Sequence, residues 1–257
     1  MAGTDHARDE GWQGQQPAFV LVRPQLGENI GAAARAMWNF GLDRMRLVAP
    51  RDGWPNPAAV ATASGAAQVL DNLQVRDDLP AALADCTYVF ATTARPRGLT
   101  KPVVTPERAM QQARALAGEG QKVAILFGPE RAGLENADVM RANAIVSVPV
   151  NPAFGSLNLA QCVLLMAYEW RRAGEAVPPE VLEMAGARRA SQIEVEKLYE
   201  RLHASLDQRG FFWPDHKAES MAISLRNLFS RMEMTDADIR TWHGVIRTLA
   251  GRNNDPN

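Results

Sequence analysis

The chain has 257 residues, 46% of them hydrophobic, with 28 Lys and Arg against 29 Asp and Glu. This length and apolar content allow one or two domains with a substantial core. They exclude a collagen-like or disordered chain, and even the apolar run Leu157 to Trp170, interrupted by Asn158, Gln161 and Glu169, falls short of a membrane span. The near-zero net charge leaves no broadly basic surface: residues 1–170 carry 15 cations against 16 acids and residues 171–257 carry 13 against 13. Any affinity for nucleic acid must come from local clusters.

The first 17 residues are polar and rich in Gly and Gln, with no apolar signal core. They read as a loose tail on a cytoplasmic protein. Apolar runs of strand length then alternate with helical patterns, the signature of a parallel sheet with helices on both faces. Strands are expected near Phe19 to Arg23, Met45 to Val48, Leu73 to Val75, Tyr88 to Ala91, Lys122 to Phe127 and Ile145 to Val148. The first helix, about Ile30 to Phe40, stops at Gly41, a suitable left-handed C-terminal residue. Thr105 is placed to cap a helix that has Pro106 at its first position, and Ser156 to cap the helix that buries Leu157 to Trp170. From Gly174 to Ala190 the chain turns to Gly, Pro and Ala, which marks a linker. Amphipathic helices follow near Ser191 to Arg209, Asp215 to Arg231 and Asp236 to Leu249, with Asp215 and Asp236 in capping positions. The expected domains are therefore 1–17, a tail; 18–172, the α/β unit; 173–190, a linker; and 191–257, a helical extension.

Cys86 and Cys162 lie far apart in apolar contexts and read as buried, reduced thiols. Neither they nor the four histidines have metal-ligand spacing, so no metal is expected. The segment after the first strand has one glycine in NIGAAAR where a dinucleotide turn wants three. GPERAG lacks the Lys and hydroxyl of a phosphate loop, and there is no GxSxG elbow. Unaided, these residues support an α/β domain with a ligand at the carboxyl ends of its strands.

Three loop segments sharpen this: ENIGAAARAMWNFG at 28–41, ILFGPERAGL at 125–134, and VPVNPAFGSLNLAQCV at 148–163. In that order, and with the last carrying SLNL, they resemble the three motifs of the SPOUT class of RNA methyltransferases. The likeness is closest to its TrmH and TrmJ branch, whose members transfer a methyl group from S-adenosylmethionine to a ribose 2′-oxygen. TTAR at 92–95 and LRNLFSRMEM at 225–234 look more like the TrmJ-like tRNA enzymes. The resemblance implies a C-terminal trefoil knot in the α/β domain, which general chain topology would argue against.

It also implies roles for individual residues. Thr92, Thr93, Ala94, Gly128, Val148, Gly155, Ser156 and Leu157 match cofactor-binding positions, and Arg35, Asn29, Ser156 and Asn158 the catalytic set. Arg23, Arg35, Arg95, Glu130 and Arg131 are candidates for RNA contact, with Arg97 and Lys101 beside them; Glu130 could equally be a structural cap. Arg35 is expected to orient the nucleotide and stabilise charge developing on the 2′-oxygen rather than to act as a base, because a guanidinium stays protonated. A tRNA substrate methylated at pyrimidine 32 of the anticodon loop is implied. The alternatives are another tRNA position, ribosomal RNA, or a non-catalytic RNA-binding module. A homodimer is expected as well, with the helices near Met37 and Val163 in need of a partner surface and Arg35 serving the other subunit's site.

Overall fold

The computed structural model of the chain describes residues 14–93, 100–175, 178–181 and 183–251. It divides into two compact units, Met1–Val177 and Pro178–Asn257.

In the first unit the chain alternates strand and helix. It runs β1 (Ala18–Val22), α1 (Gly27–Trp38), β2 (Met45–Val48), α2 (Pro57–Ala63), α3 (Ala67–Asp71), β3 (Gln74–Arg76), α4 (Leu79–Leu83), β4 (Tyr88–Thr92) and β5 (Val103–Val104). Then come α5 (Pro106–Gly118), β6 (Val123–Phe127), α6 (Asn136–Val139), β7 (Ala144–Val146) and α7 (Leu159–Arg172). The strands form one parallel sheet in the order β3-β2-β1-β6-β4-β7-β5. β6 thus enters between β1 and β4, and β7 between β4 and β5. The threaded topology implied by the resemblance is compatible with this order.

Because side chains alternate along a strand, a sheet covered on both faces needs two cores. Phe19, Leu21, Phe90, Ile125 and Phe127 face one core with Ile30 and Met37 of α1, Ala109 and Met110 of α5, and Val163 and Met166 of α7. Val20, Val22, Ala91, Ala124 and Leu126 face the other, which Leu79, Ala82 and Val139 of α4 and α6 close. Met37 and Val163 are fully buried inside their own chain, so these two residues need no partner surface. On α7 it is Leu164 and Tyr168 that reach solvent.

Several ends form as their residues dictate. Gly41 adopts a positive φ of 75°, which lets Leu42 N bond back to Met37 O and close α1. The Thr105 hydroxyl accepts from Arg108 N, with Pro106 opening α5. Three caps differ from expectation. The last helix of the unit starts at Leu159, where Asn158 Oδ1 accepts from Ala160 N and Gln161 N, and Ser156 remains in the loop before it. The amide side chain of Asn158, two residues downstream of Ser156, holds the capping position because its oxygen reaches two free amides at once. The short segments α2, α3, α4, α6 and β5 carry too few residues for their period to be read.

The second unit packs α8 (Gln192–Asp207), α9 (Asp215–Ser230) and α10 (Asp236–Gly251) around Leu198, Phe229, Met234, Ile239 and Ile246. Pro214 precedes α9, leaving Asp215 inside it rather than capping it. At α10 the cap is Thr235, whose hydroxyl accepts from Asp238 N while the Asp238 carboxylate accepts from Thr235 N. Asp236 instead accepts from Arg188 N and pairs with Arg240. The segment expected as a linker is therefore tied at its C-terminal end: Arg189 bridges to Thr235 and Ala190 N bonds to Met234 O.

α1 and α2 approach through Gly31, where a Cβ would lie 2.2 Å from Ala59 O and 2.9 Å from Ala63 N. Alanine would improve the helix by about 1 kcal/mol by propensity alone. The contact is with rigid backbone, and the overpacking cost of about 1–3 kcal/mol outweighs that gain. Gly31→Ala is expected to lower the denaturation midpoint in urea without changing the slope; a rise would show that the two helices can separate at no cost.

Candidate active site

The loops at the carboxyl ends of β4, β6 and β7 enclose a cavity of about 340 Å³. This is the place in a parallel sheet where backbone amides and loop side chains converge on a ligand. Thr92, Thr93, Gly128, Val148, Gly155, Ser156 and Leu157, seven of the eight expected cofactor positions, line it together. Ala94 lies outside the described residues, as do Arg95 and Arg97. The sequence reading missed Val146, Val150, Leu159 and Cys162 as further walls. Cys162 falls one turn after Asn158, so a helix register counted from the correct cap would have found it.

Each wall has a local reason. The Thr92 hydroxyl donates to Leu126 O at 2.8 Å and Thr93 N to Val146 O at 3.1 Å, so the end of β4 is fixed to both of its neighbours. Gly128 turns the chain where it leaves β6: a Cβ there would sit 2.1 Å from Leu134 N and 2.4 Å from Gly133 C. Any side chain would open the 128–134 loop. Burial pushes the Cys162 thiol up to about 11, which makes it an apolar wall at neutral pH.

The three expected motif segments are joined by one chain of hydrogen bonds. The Glu130 carboxylate accepts from Gln25 N at 2.8 Å and Leu26 N at 3.1 Å, two amides at the mouth of α1. It also accepts from Asn29 Nδ2 at 2.8 Å. α1 has no side-chain cap of its own, so a carboxylate about 100 residues away supplies the negative charge its N-terminus favours. Asn29 Oδ1 accepts from Asn158 Nδ2 at 3.0 Å, and Asn158 Oδ1 caps α7. Glu130 is consequently engaged inside the chain through both oxygens, and of its two expected parts, RNA contact or structural cap, the fold shows the cap.

The cations sort in the same manner. Arg23 is held by a two-point ion pair to Asp138, with Glu135 beyond it, and this carboxylate pair raises its pKa further; it belongs to the fold and not to a phosphate site. Lys101 donates to Met140 O and Ala142 O at the end of α6. Arg131 is exposed at the cavity's rim. Arg35 is exposed on α1, with no hydrogen bond or ion pair from its side chain among the described residues, and it does not line this chain's own cavity. Among the described residues no group of three His, Cys, Asp or Glu could hold a metal, and no helix is long and apolar enough to cross a membrane.

The family model described as the SpoU rRNA Methylase family matches residues 16–168. The chain is 35% identical over 243 residues to the tRNA (cytidine/uridine-2′-O-)-methyltransferase TrmJ of Klebsiella pneumoniae, covering 93% of this chain and 98% of that protein. It is also 35% identical, over 235 residues, to the tRNA (cytidine/uridine/adenosine-2′-O-)-methyltransferase TrmJ of Pseudomonas aeruginosa, covering 88% and 91%. The crystal structure of TrmJ from Z. mobilis ZM4 is similar with a TM-score of 0.80 at 50% identity, over 91% of this chain and 99% of that one.

Two measurements follow from the geometry. In a double-mutant cycle, Glu130→Ala and Asn29→Ala are expected to couple by about 0.5–3 kcal/mol in unfolding free energy, because they share one network. Strict additivity would deny the network. Only about one thiol in a thousand is ionised at pH 8 when the pKa is near 11, so Cys162 should alkylate slowly in the native protein and faster as pH rises toward that value. Rapid labelling at neutral pH, followed by peptide mass mapping, would contradict the buried wall.

Proposed function

This chain belongs to the SpoU rRNA methylase family, and from that premise we infer that it transfers a methyl group from S-adenosylmethionine to a ribose 2′-oxygen of tRNA. The observation that carries the reading is the convergence of seven predicted cofactor positions on one cavity, walled by Val146, Val148, Val150, Leu157 and Leu159. The residues suit the cofactor. Apolar walls and the Gly128 turn leave main-chain groups of the 128–134 and 148–157 loops open to an adenosine and a methionine, and Thr92, Thr93 and Ser156 supply hydroxyls. When bound there, the cofactor supplies an activated methyl group on a sulfonium.

The chain's own residues line that cavity with Val146, Val148, Val150, Leu157 and Leu159 and fix its loops through Glu130, Asn29 and Asn158. None of the residues gathered there is a strong base. Arg35, always protonated, is suited to hold a nucleotide and to stabilise the negative charge that develops on its 2′-oxygen, leaving the proton to phosphate or water. Since Arg35 does not line its own cavity, the reading requires a homodimer in which it serves the partner's cavity. The exposed Leu164 and Tyr168 of α7 supply apolar surface for such a contact.

Within tRNA we assign pyrimidine 32 of the anticodon loop. Support comes from TTAR and from LRNLFSRMEM, although in the second motif Leu225, Phe229 and Met234 build the core of the helical unit. That motif therefore marks the presence of the unit more than any direct contact with RNA.

Mixing two inactive variants tests the shared site. Arg35→Ala is expected to bind S-adenosylmethionine normally in calorimetry yet lose tRNA methylation, whereas Gly128→Trp loses cofactor binding. Random reassociation should then restore about a quarter of wild-type activity, since half the dimers carry one intact composite site of two. No recovery after verified subunit exchange would remove the shared site. Undiminished methylation by Arg35→Ala alone would remove the role given to that residue.

A further inference from the structure

We propose that Phe154 is the platform for the base of the nucleotide being methylated: its ring stacks on that base at the mouth of the cavity and so sets the attached ribose against the methyl donor. This rests on the tRNA reading above and adds to it a substrate-binding residue that neither the expected site residues nor the lining of the cavity includes.

The first argument is the way the ring is presented. At 77% exposure, Phe154 is the most exposed large apolar side chain among the described residues, whereas Phe19, Phe90 and Phe127 are buried in the core. A phenyl ring left in water forgoes the stabilisation that burial gives it. Its place is fixed by the turn that it closes. Phe154 N donates to Asn151 O at 2.9 Å, and Ala153 N donates to Asn151 Oδ1 at 3.0 Å. Asn151 at the first position and Pro152 at the second are the residues such a turn favours. The backbone that carries the ring is therefore ordered before any ligand arrives, which lowers the cost of binding one.

The second argument is location. The turn stands on the cavity wall: Val150 and Gly155, the residues on either side of it, both line the cavity, and a Cβ on Gly155 would lie 3.6 Å from Val150 Cγ2. Ser156, also in that lining, follows Phe154 by two residues. Two residues of chain span about 7 Å at most, so Phe154 and Ser156 share one stretch of the rim. In a nucleotide the base is carried by the ribose carbon next to the one that bears the 2′-oxygen. A ribose whose 2′-oxygen faces the cavity beside Ser156 thus brings its base within reach of the ring at position 154. Arg131, exposed at the same rim, offers a cation to the phosphate of that nucleotide.

The third argument is the chemistry of the occupant. A phenyl ring has a flat apolar face and no hydrogen-bonding group, so it holds a base by stacking without reading its edge. That matches a reaction on the ribose, and an unpaired loop nucleotide whose base is free to be splayed out. A second copy of the chain is the other candidate occupant, and it fits less well. The neighbours Asn151, Pro152 and Ala153 are exposed and small or polar, so no apolar cluster surrounds the ring of the kind that the centre of a subunit contact gathers. Such surface lies instead on α7, at Leu164 and Tyr168.

The test uses the full-length protein and unmodified tRNA in which the nucleotide methylated by the wild type has first been mapped. Phe154→Ala should lower kcat/KM for tRNA about ten-fold, the effect of losing one base stack. Phe154→Leu, which keeps an apolar side chain without a ring, should fall with it, whereas Phe154→Tyr and Phe154→Trp should stay near the wild-type value. S-adenosylmethionine affinity, read by calorimetry, and mass, read by light scattering, should be unchanged in all four. With a fluorescent cytidine analogue at the mapped position, binding to the wild type should quench the fluorescence, and binding to Phe154→Leu should leave it.

Wild-type kcat/KM in Phe154→Leu would overturn the proposal, as would an analogue that the wild type leaves unquenched. A loss of activity that came with dissociation into monomers would also overturn it, since the ring would then belong to a subunit contact. Weakened cofactor binding would do the same by assigning the ring to the pocket. If the wild-type protein methylated no nucleotide of tRNA, the functional reading would fail and this one with it; if wild type methylated tRNA and the variants matched it, the platform alone would fail.

Discussion

The Glu130 carboxylate is the constraint on which the rest of the site depends. Two backbone amides at the mouth of α1 and the Asn29 amide all converge on it, and Asn29 passes the restraint to Asn158 and so to the start of α7. Loops that leave β1, β6 and β7 are thereby fixed to one another by side chains drawn from widely separated parts of the sequence. A charged acceptor bonded to main-chain donors at a helix N-terminus gains from both the charge and the helix dipole, which makes it stronger than a neutral bond at the same length. The three motifs are separate in sequence and continuous in space because this one group holds them.

The arrangement explains why the site can be built almost without reactive groups. Methyl transfer to a ribose oxygen asks chiefly for fixed geometry and little water. The chain meets this with a cavity walled by Val146, Val148, Val150 and Leu157, a thiol kept neutral at Cys162, and loops whose polar side chains are largely bonded to one another. The cations with freedom to act, Arg35 and Arg131, stand on the surface. In the proposed function chemistry and RNA contact are divided accordingly: the cavity holds the donor, and residues at its rim and beyond it present the acceptor.

Much of the first unit was legible in the sequence because its signals are local. Gly41 and the Thr105–Pro106 pair decide their helix ends through neighbours within a few residues. The lining of the cavity was legible through resemblance, since small residues and turns in a fixed order survive in the pattern. What could not be read was the choice of partner across long separations. Arg23 looked like a phosphate ligand until Asp138, 115 residues on, proved to hold it. Glu130 was open between RNA contact and a structural cap, and only its position against Gln25 N and Leu26 N decides for the cap. Met37 and Val163 looked like an interface because periodicity shows that a helix face is apolar without showing what covers it; here each chain covers its own. Ser156 and Asn158 were both competent caps, and only the path of the loop decided between them.

The account centres on the transfer of a methyl group to one ribose. Its most direct test is to incubate the purified protein with unmodified tRNA and isotopically labelled S-adenosylmethionine, then digest the product and map the label by fragment mass spectrometry. The account predicts one labelled 2′-O-methyl group, on the pyrimidine at position 32. Label on a base, or no label in tRNA from a preparation that binds the cofactor, would contradict it.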